Sequence, residues 1–410
     1  MNTLSVTLPA APALPAYGVF AALLAAAGLP IYIHAPKVYV DEYGVSLAAL
    51  GAVLFGLRLF DVIQDPLLGR LAGMLRHQRA AAVTGGVALM VASMLGLFAV
   101  TPPVAPLIWF ALMLAGVFSA FSFLTICFYA QGVQTAGTMG PAGHIRLARW
   151  RETGALLGVC VAAVAPVALG GFEGFALGFA ILALGAVWLM RHQWSGPLDI
   201  DEAGMLPVLR DPLARRLLLI ALVNAAPVAV SSTLFLFFVE SRLAAPGWEG
   251  PFLLLFFLSA AIATPFWGRA AEAYGPKKVL MSGMVLAISA FGFALTLGAG
   301  DTFAFAVICI ASGAALGADM TLLPAIFAAR MARIAPGASG AFGLWSFVSK
   351  LSLAFAAIAL LPALEAAGFR AGAENSDDAL LALSLAYGLV PCLLKLLAIG
   401  LLATTNWKED

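Results

Sequence analysis

Apolar residues run through this chain in long unbroken stretches, interrupted by short polar clusters, without the strict alternation of half-buried strands. A helix needs about 17–25 such residues to cross some 30 Å of hydrocarbon. Twelve stretches qualify: 17–40, 47–70, 80–100, 105–131, 150–170, 173–190, 217–240, 251–270, 279–300, 302–328, 341–362 and 379–403. The fifth and sixth are divided only by Gly170, Gly171 and Phe172. The predicted architecture is an all-α membrane protein with twelve transmembrane helices.

The polar connectors differ in sign, and Lys and Arg gather on the cytoplasmic side of a membrane. Arg70, Arg76 and Arg79 follow the second stretch, and His144, Arg146 and Arg149, with Arg151, precede the fifth. Arg191, Arg210, Arg215 and Arg216 lie between the sixth and seventh; Arg269, Lys277 and Lys278 follow the eighth; Arg330 and Arg333 follow the tenth. The alternate connectors hold Asp41, Glu42, Glu173, Glu240, Glu249, Asp301, Glu374, Asp377 and Asp378, with Arg242 and Arg370 as basic exceptions. Both termini are therefore expected in the cytoplasm. The segment before Ala16 lacks Lys and Arg, so no cleavable signal is expected and the first stretch should be retained.

The longest polar segment, from about Arg191 to Arg216, carries Pro197, Pro207 and Pro212. It divides a first six-helix bundle, 1–190, from a second, 217–410, with 191–216 as a cytoplasmic linker. A short repeat supports the division: Pro66 and Gly69 close the second stretch, and Pro265 and Gly268 close the eighth, each offset by 199 positions.

Composition agrees, since 10% of the 410 residues are charged against about 25% in soluble proteins. A net charge of +1 without a basic stripe argues against a nucleic-acid partner. Cys127, Cys160, Cys309 and Cys392 each sit in an apolar run with no CxxC pair, so neither a disulfide framework nor a metal centre is expected. The chain has no HExxH, GxSxG or phosphate-binding loop, and its connectors are too short for a catalytic domain, so an enzyme is not expected. A membrane sensor or scaffold would need a larger extramembrane domain than these connectors hold.

Charge inside the apolar runs carries the functional signal, because an ionised group at mid-bilayer costs roughly 2.5–3.5 kcal/mol on insertion scales. Arg58, Asp61 and Asp65 share the second run at positions i, i+3 and i+7, which places them on one helical face. Each could instead belong to a structural ion pair. Asp319 is an isolated acid in the tenth run, and Glu152 stands one to two turns inside the fifth beside Arg149 and Arg151. His34, two residues before Pro36, combines a titratable ring with a freed backbone carbonyl. Asn224, with Pro227 and Ser231, Ser232 and Thr233 beyond it, offers hydrogen bonds from the seventh run, or serves as glue between helices. Lys395 in the twelfth run is expected to snorkel to the cytoplasmic face.

Arg58-x-x-Asp61-x-x-x-Asp65-Pro66 followed by Gly69, together with Lys350 in the run from Gly343, resembles the glycoside-pentoside-hexuronide cation symporters, the melibiose-permease-like branch of the major facilitator superfamily. Arg149 with Gly154 and Gly158 is similar to the same family, over essentially the whole chain. The resemblance implies two pseudo-symmetric bundles rocking about a midplane site, cation coupling by Asp61 and Asp65, and Lys350 and Arg58 close to them. His34, Arg149, Glu152, Asn224 and Asp319 are then the candidate substrate-binding residues. The loop Gly268, Arg269, Glu272, Gly275 and Lys277 resembles the superfamily's gating motif, and its counterpart after the second run has Gly73 where an acid would stand.

The departures from that family are equally informative. Ala120, Leu124 and Val117 fall where it carries an acid, an aromatic and a hydroxyl, and Gln64 falls where it carries asparagine. Sodium needs several oxygen ligands whereas a proton needs one carboxylate, so protons are favoured as the coupling ion and no other cofactor is expected. The expectation is a monomeric, multi-pass protein of the cell inner membrane. It would move a small polar organic solute, with sugars and glycosides among the candidates, by alternating access. The alternative of the same fold is an exporter or a carrier of lysolipids and other amphiphiles.

Overall fold

A computed structural model describes residues 13–28, 35–140, 142–194, 206–334, 339–370 and 374–405. His34 lies outside the described residues. All regular structure among those described is helical. In chain order the helices are α1 (Leu14–Ala26), α2 (Ala35–Asp41), α3 (Leu47–Met74), α4 (Arg79–Phe98), α5 (Pro106–Gly137), α6 (Gly143–Ala168), α7 (Phe172–Met190) and α8 (Leu206–Arg210). They continue as α9 (Pro212–Phe237), α10 (Glu249–Tyr274), α11 (Pro276–Ala294), α12 (Thr302–Ile334), α13 (Ser339–Ala366), α14 (Asp377–Ser384) and α15 (Val390–Ala403). Five-residue π turns extend α9 through Arg242 and join α14 to α15.

Nine helical runs among the described residues are long and apolar enough to span a membrane. The narrow break between the predicted fifth and sixth runs is real: α6 ends at Ala168, and Gly170 and Gly171 take φ of +76° and +128° before α7 begins. Only glycine adopts such angles without strain. The predicted first run, 17–40, is not one helix, because α1 stops at Ala26 and α2 starts at Ala35. Residues 29–34 between them lie outside the described residues.

Helix starts follow ordinary capping chemistry. The Ser46 hydroxyl accepts from Ala49 N–H at 3.2 Å to begin α3, and Asp211 accepts from Ala214 N–H at 2.7 Å with Pro212 behind it to begin α9. Gly275, at φ +87°, separates α10 from α11, whose first residue is Pro276.

Small residues set the closest helix contacts. A Cβ on Gly154 or Gly158 of α6 would strike the carbonyls of Gly18 or Ala22 in α1. In the same way Gly313 and Gly317 of α12 lie on the carbonyls of Phe256 and Ala260 in α10. Helices in lipid lack a hydrophobic drive to pair, so four-residue spacing of small side chains lets backbones approach and gain dispersion contacts. One apolar cluster draws on residues 16–194, with Tyr17, Phe20, Phe110 and Phe128 fully buried. Two others draw almost wholly on residues beyond 208. A fourth, Leu156 with Ala260, Ala261 and Leu316, joins α6 to α10 and α12.

Candidate functional site

A cavity of about 480 Å³ lies where α3, α5 and α6 face α9, α12 and α13. Its walls are mainly apolar and aromatic, with Phe121 and Tyr129 on one side and Met320 and Trp345 on the other. Polar groups enter from both halves of the chain: Asp65, Ser122, Thr125 and Glu152 from the first, Asn224 and Asp319 from the second. Six polar side chains in an apolar wall can orient a small ligand by a few hydrogen bonds.

The predicted residues divide among three places. Asp65 lines the cavity. The neighbouring Gln64, set by the sequence where the symporter family carries asparagine, accepts a hydrogen bond from Ser119 at 2.9 Å and so ties α3 to α5. Arg58 and Asp61 stand in the same continuous helix α3, and Lys350 in α13; their side chains lie outside the described residues.

Glu152 also lines the cavity and is buried, with Oε1 accepting from Arg151 Nε at 2.7 Å. Arg151 in turn lies over the Tyr129 ring, 4.0 Å from its centroid. This buried guanidinium is thus shared between a carboxylate and an aromatic face, an arrangement that offsets its desolvation.

Asp319 and Asn224 line the opposite wall, and a residue expected elsewhere joins them. Lys395 does not snorkel. It is 1% exposed, and its ammonium pairs with Asp319 Oδ2 and donates to Asn224 Oδ1 at 2.6 Å. A charge left unpaired in the bundle interior is far costlier than one that finds a carboxylate, so Lys395 turns inward to Asp319. The isolated acid was itself the signal for a buried base.

Arg149 lies away from the cavity wall, at the end of the bundle that carries the basic connectors. Its Nη1 donates to Glu272 Oε1 at 3.2 Å, and Arg146 Nε donates to Glu272 Oε2 at 3.1 Å. Glu272 therefore holds α6 to α10 across the two halves. Gly268, one turn earlier, presses on the aliphatic part of Arg149. Arg269 reaches the ring of Phe266, centroid distance 5.8 Å. Beyond Gly275, Lys277 donates to the carbonyls of Ala403 and Thr405 at 3.1 and 2.9 Å and so caps α15. The sequence did not single out Arg146 as Glu272's second partner.

The family profile described as MFS/sugar transport protein matches residues 14–409. The chain belongs to that family. Solved structures share the major facilitator fold. An outward-facing crystal structure of a bacterial homologue of the iron transporter ferroportin superposes with a TM-score of 0.68 at 18% identity, covering 94% of this chain and 99% of that one. A variant of the E. coli fucose:proton symporter FucP superposes with a TM-score of 0.64 at 15% identity, covering 94% and 97%. No curated protein sequence matches. As a member of the MFS/sugar transport family the chain is a multi-pass membrane protein with a transporter's fold, and the cavity stands where the two halves meet.

Proposed function

We propose that this protein is a secondary active transporter that moves a small polar organic solute by alternating access, with sugars and glycosides as the first candidates. Movement is coupled to protons in preference to sodium. In this reading bundles 1–190 and 217–410, joined by the cytoplasmic linker 191–216, rock about the cavity, and twelve spans leave both termini in the cytoplasm. Asp61 and Asp65 carry the coupling ion, with Arg58 and Lys350 as their partners. Glu152, Asn224 and Asp319 contact the solute, together with His34. Arg149 joins Arg269, Glu272, Gly268, Gly275 and Lys277 in the gate.

The observation that carries this reading is a cavity walled by both halves, with an ion-paired tie between those halves at Glu272. Thr125 on one wall and Asp319 on the other each hold a buried oxygen that no described group bonds. Such atoms are costly unless a ligand or water completes them. The largely apolar remainder of the wall supports a second reading, transport of an amphiphile with a small polar head.

Purified protein is screened by thermal shift against sugars, glycosides, sugar acids and lysolipids, and each hit is tested for uptake into liposomes under imposed proton or sodium gradients. Accumulation of a polar solute driven by an inward proton gradient is the expected result, whereas gradient-independent flux of a lysolipid selects the amphiphile carrier. Asp61→Asn and Asp65→Asn should abolish accumulation and leave exchange. Undiminished accumulation in both variants refutes the coupling assignment.

A further inference from the structure

The pair formed by Asp319 and Lys395 differs in kind from the other buried pair at the cavity. Arg151 and Glu152 are neighbours on one helix, so their bond joins no two elements. Lys395 belongs to α15, Asp319 to α12 and Asn224 to α9, so one ammonium ties three helices of the second half.

The tie is also asymmetric with respect to the cavity. Asp319 and Asn224 are part of its wall, and Lys395 sits behind them. Asp319 Oδ2 is taken by the ammonium, while Oδ1 is buried and has no hydrogen-bond partner among the described residues. A carboxylate in an apolar setting with half its acceptor capacity unmet holds an unbalanced charge. One small cation arriving at that oxygen would neutralise the acid, and Lys395 would then lose the counter-ion that makes its burial tolerable.

The donor set decides which cation fits. Sodium takes several oxygens, yet Asn224 Oδ1 is already occupied by Lys395. A proton needs only the free carboxylate oxygen. The surrounding helices contribute few competing charges. Asn224 on α9 is neutral, while Arg215 and Arg216 of α9, Arg330 and Arg333 of α12, and the ionisable residues of α10 and α11 (Glu249, Arg269, Glu272, Tyr274, Lys277 and Lys278) stand near the ends of their helices. Across the cavity the titratable groups of the wall are Asp65 on α3, Tyr129 on α5 and Glu152 on α6, the last paired with Arg151. Lys350 belongs to α13.

We propose that Asp319 is a proton-binding site of the second half, distinct from the α3 acids, with Lys395 as the resident cation that a proton arriving from the cavity displaces. The inference rests on the proton-coupled reading above for its use in transport. Proton binding itself is measurable without any solute. A proton on Asp319 loosens α15 from α12, which would let the coupling ion alter packing in the half opposite α3.

The test is infrared difference spectroscopy of the full chain in liposomes during a pH titration, with the proton as the probe. Wild type should show a protonated-carboxyl band that forms and disappears reversibly with pH, D319N should lose it, and K395M should shift the pH range over which it forms because the ammonium facing that carboxylate is gone. Should K395M fail to assemble, K395Q retains a donor toward Asn224 and carries the same expectation. A carboxyl band indifferent to D319N, or a pH range unmoved by loss of the lysine, overturns the proposal. Protein that moves no solute in any gradient but shows the D319N-sensitive band retains this site and loses the transporter reading. Proton-driven accumulation without such a band does the reverse.

Discussion

Neutralising Glu272 should open the bundle at its basic end. The carboxylate receives Arg146 at 3.1 Å and Arg149 at 3.2 Å. Arg146 is 47% exposed, but Arg149 and Glu272 are 20% and 22% exposed, so water and salt screen the second pair less. Exposed pairs contribute about 0.2–1 kcal/mol each. Two pairs on one acid, one of them largely shielded, together supply about 1–2 kcal/mol toward the closed arrangement. That corresponds to a factor of about 5–30 in the open population. The four native cysteines are buried, so S122C in the cavity wall serves as a reporter against a low background. In E272Q its labelling by a membrane-impermeant maleimide, added from the side on which Glu272 lies, should accelerate about 5–30-fold. Raising ionic strength should produce a smaller increase in the wild type, through Arg146. Because both arginines act through one carboxylate, E272Q and the R146Q/R149Q double variant should agree, and combining all three should add little. Equal labelling rates in E272Q and wild type, from either face, would refute the view that this tie holds the two halves together.

Three further outcomes test the packing. Gly154→Val places side-chain atoms on the Gly18 carbonyl and should cost at least about 1–3 kcal/mol as α1 is pushed from α6; a thermal melt in detergent measures it, and an unchanged midpoint excludes the close contact. Lys395→Met strands the buried Asp319 and should destabilise by about 3–5 kcal/mol, with D319N/K395M recovering much of the loss; a double variant no better than the single would show that charge is not the cause. The Arg330 guanidinium, with help from the Ala214 N–H, holds the Asp211 carboxyl below its ordinary range. The stabilisation this gives is complete above about pH 4 and fades as pH falls through the depressed value. D211N should therefore melt below wild type at neutral pH and converge with it in acid, while D211A, which also loses the α9 cap, should lie about 1 kcal/mol lower still. Parallel pH profiles for wild type and D211N would dissociate the ion pair from stability.

What the sequence disclosed followed from one-dimensional signals. Apolar run length announced helices in a membrane, and the Gly170-Gly171 step marked a boundary because its backbone angles suit glycine alone. Within the run 17–40 hydropathy continues past Ala26, where α1 stops, so apolar run length alone does not locate that helix end. Side-chain partners were harder, since periodicity fixes the face of a helix and says nothing about which helix meets it. Family spacing places Arg149 with the solute-binding groups, whereas in the structure it reaches Glu272, a residue 123 positions away.

Lys395 shows how charge must balance across helices and not within one. It stands eight residues before the end of α15, about 12 Å of helix, which is compatible with snorkelling when that helix is considered alone. Considered together, the spans hold few bases deep in the apolar runs: Arg58, Lys350 and Lys395. The resemblance assigned the first two to the pair of acids at 61 and 65, which left Asp319 without a cation and Lys395 without an anion. Each charge buried alone is expensive, and the two together are far less so. The structure joins them, with Asn224 as a third partner for the ammonium. In a membrane-embedded bundle, therefore, an unmatched acid on one helix predicts a buried base on another. The residue that closes the balance is the one whose displacement a proton could use.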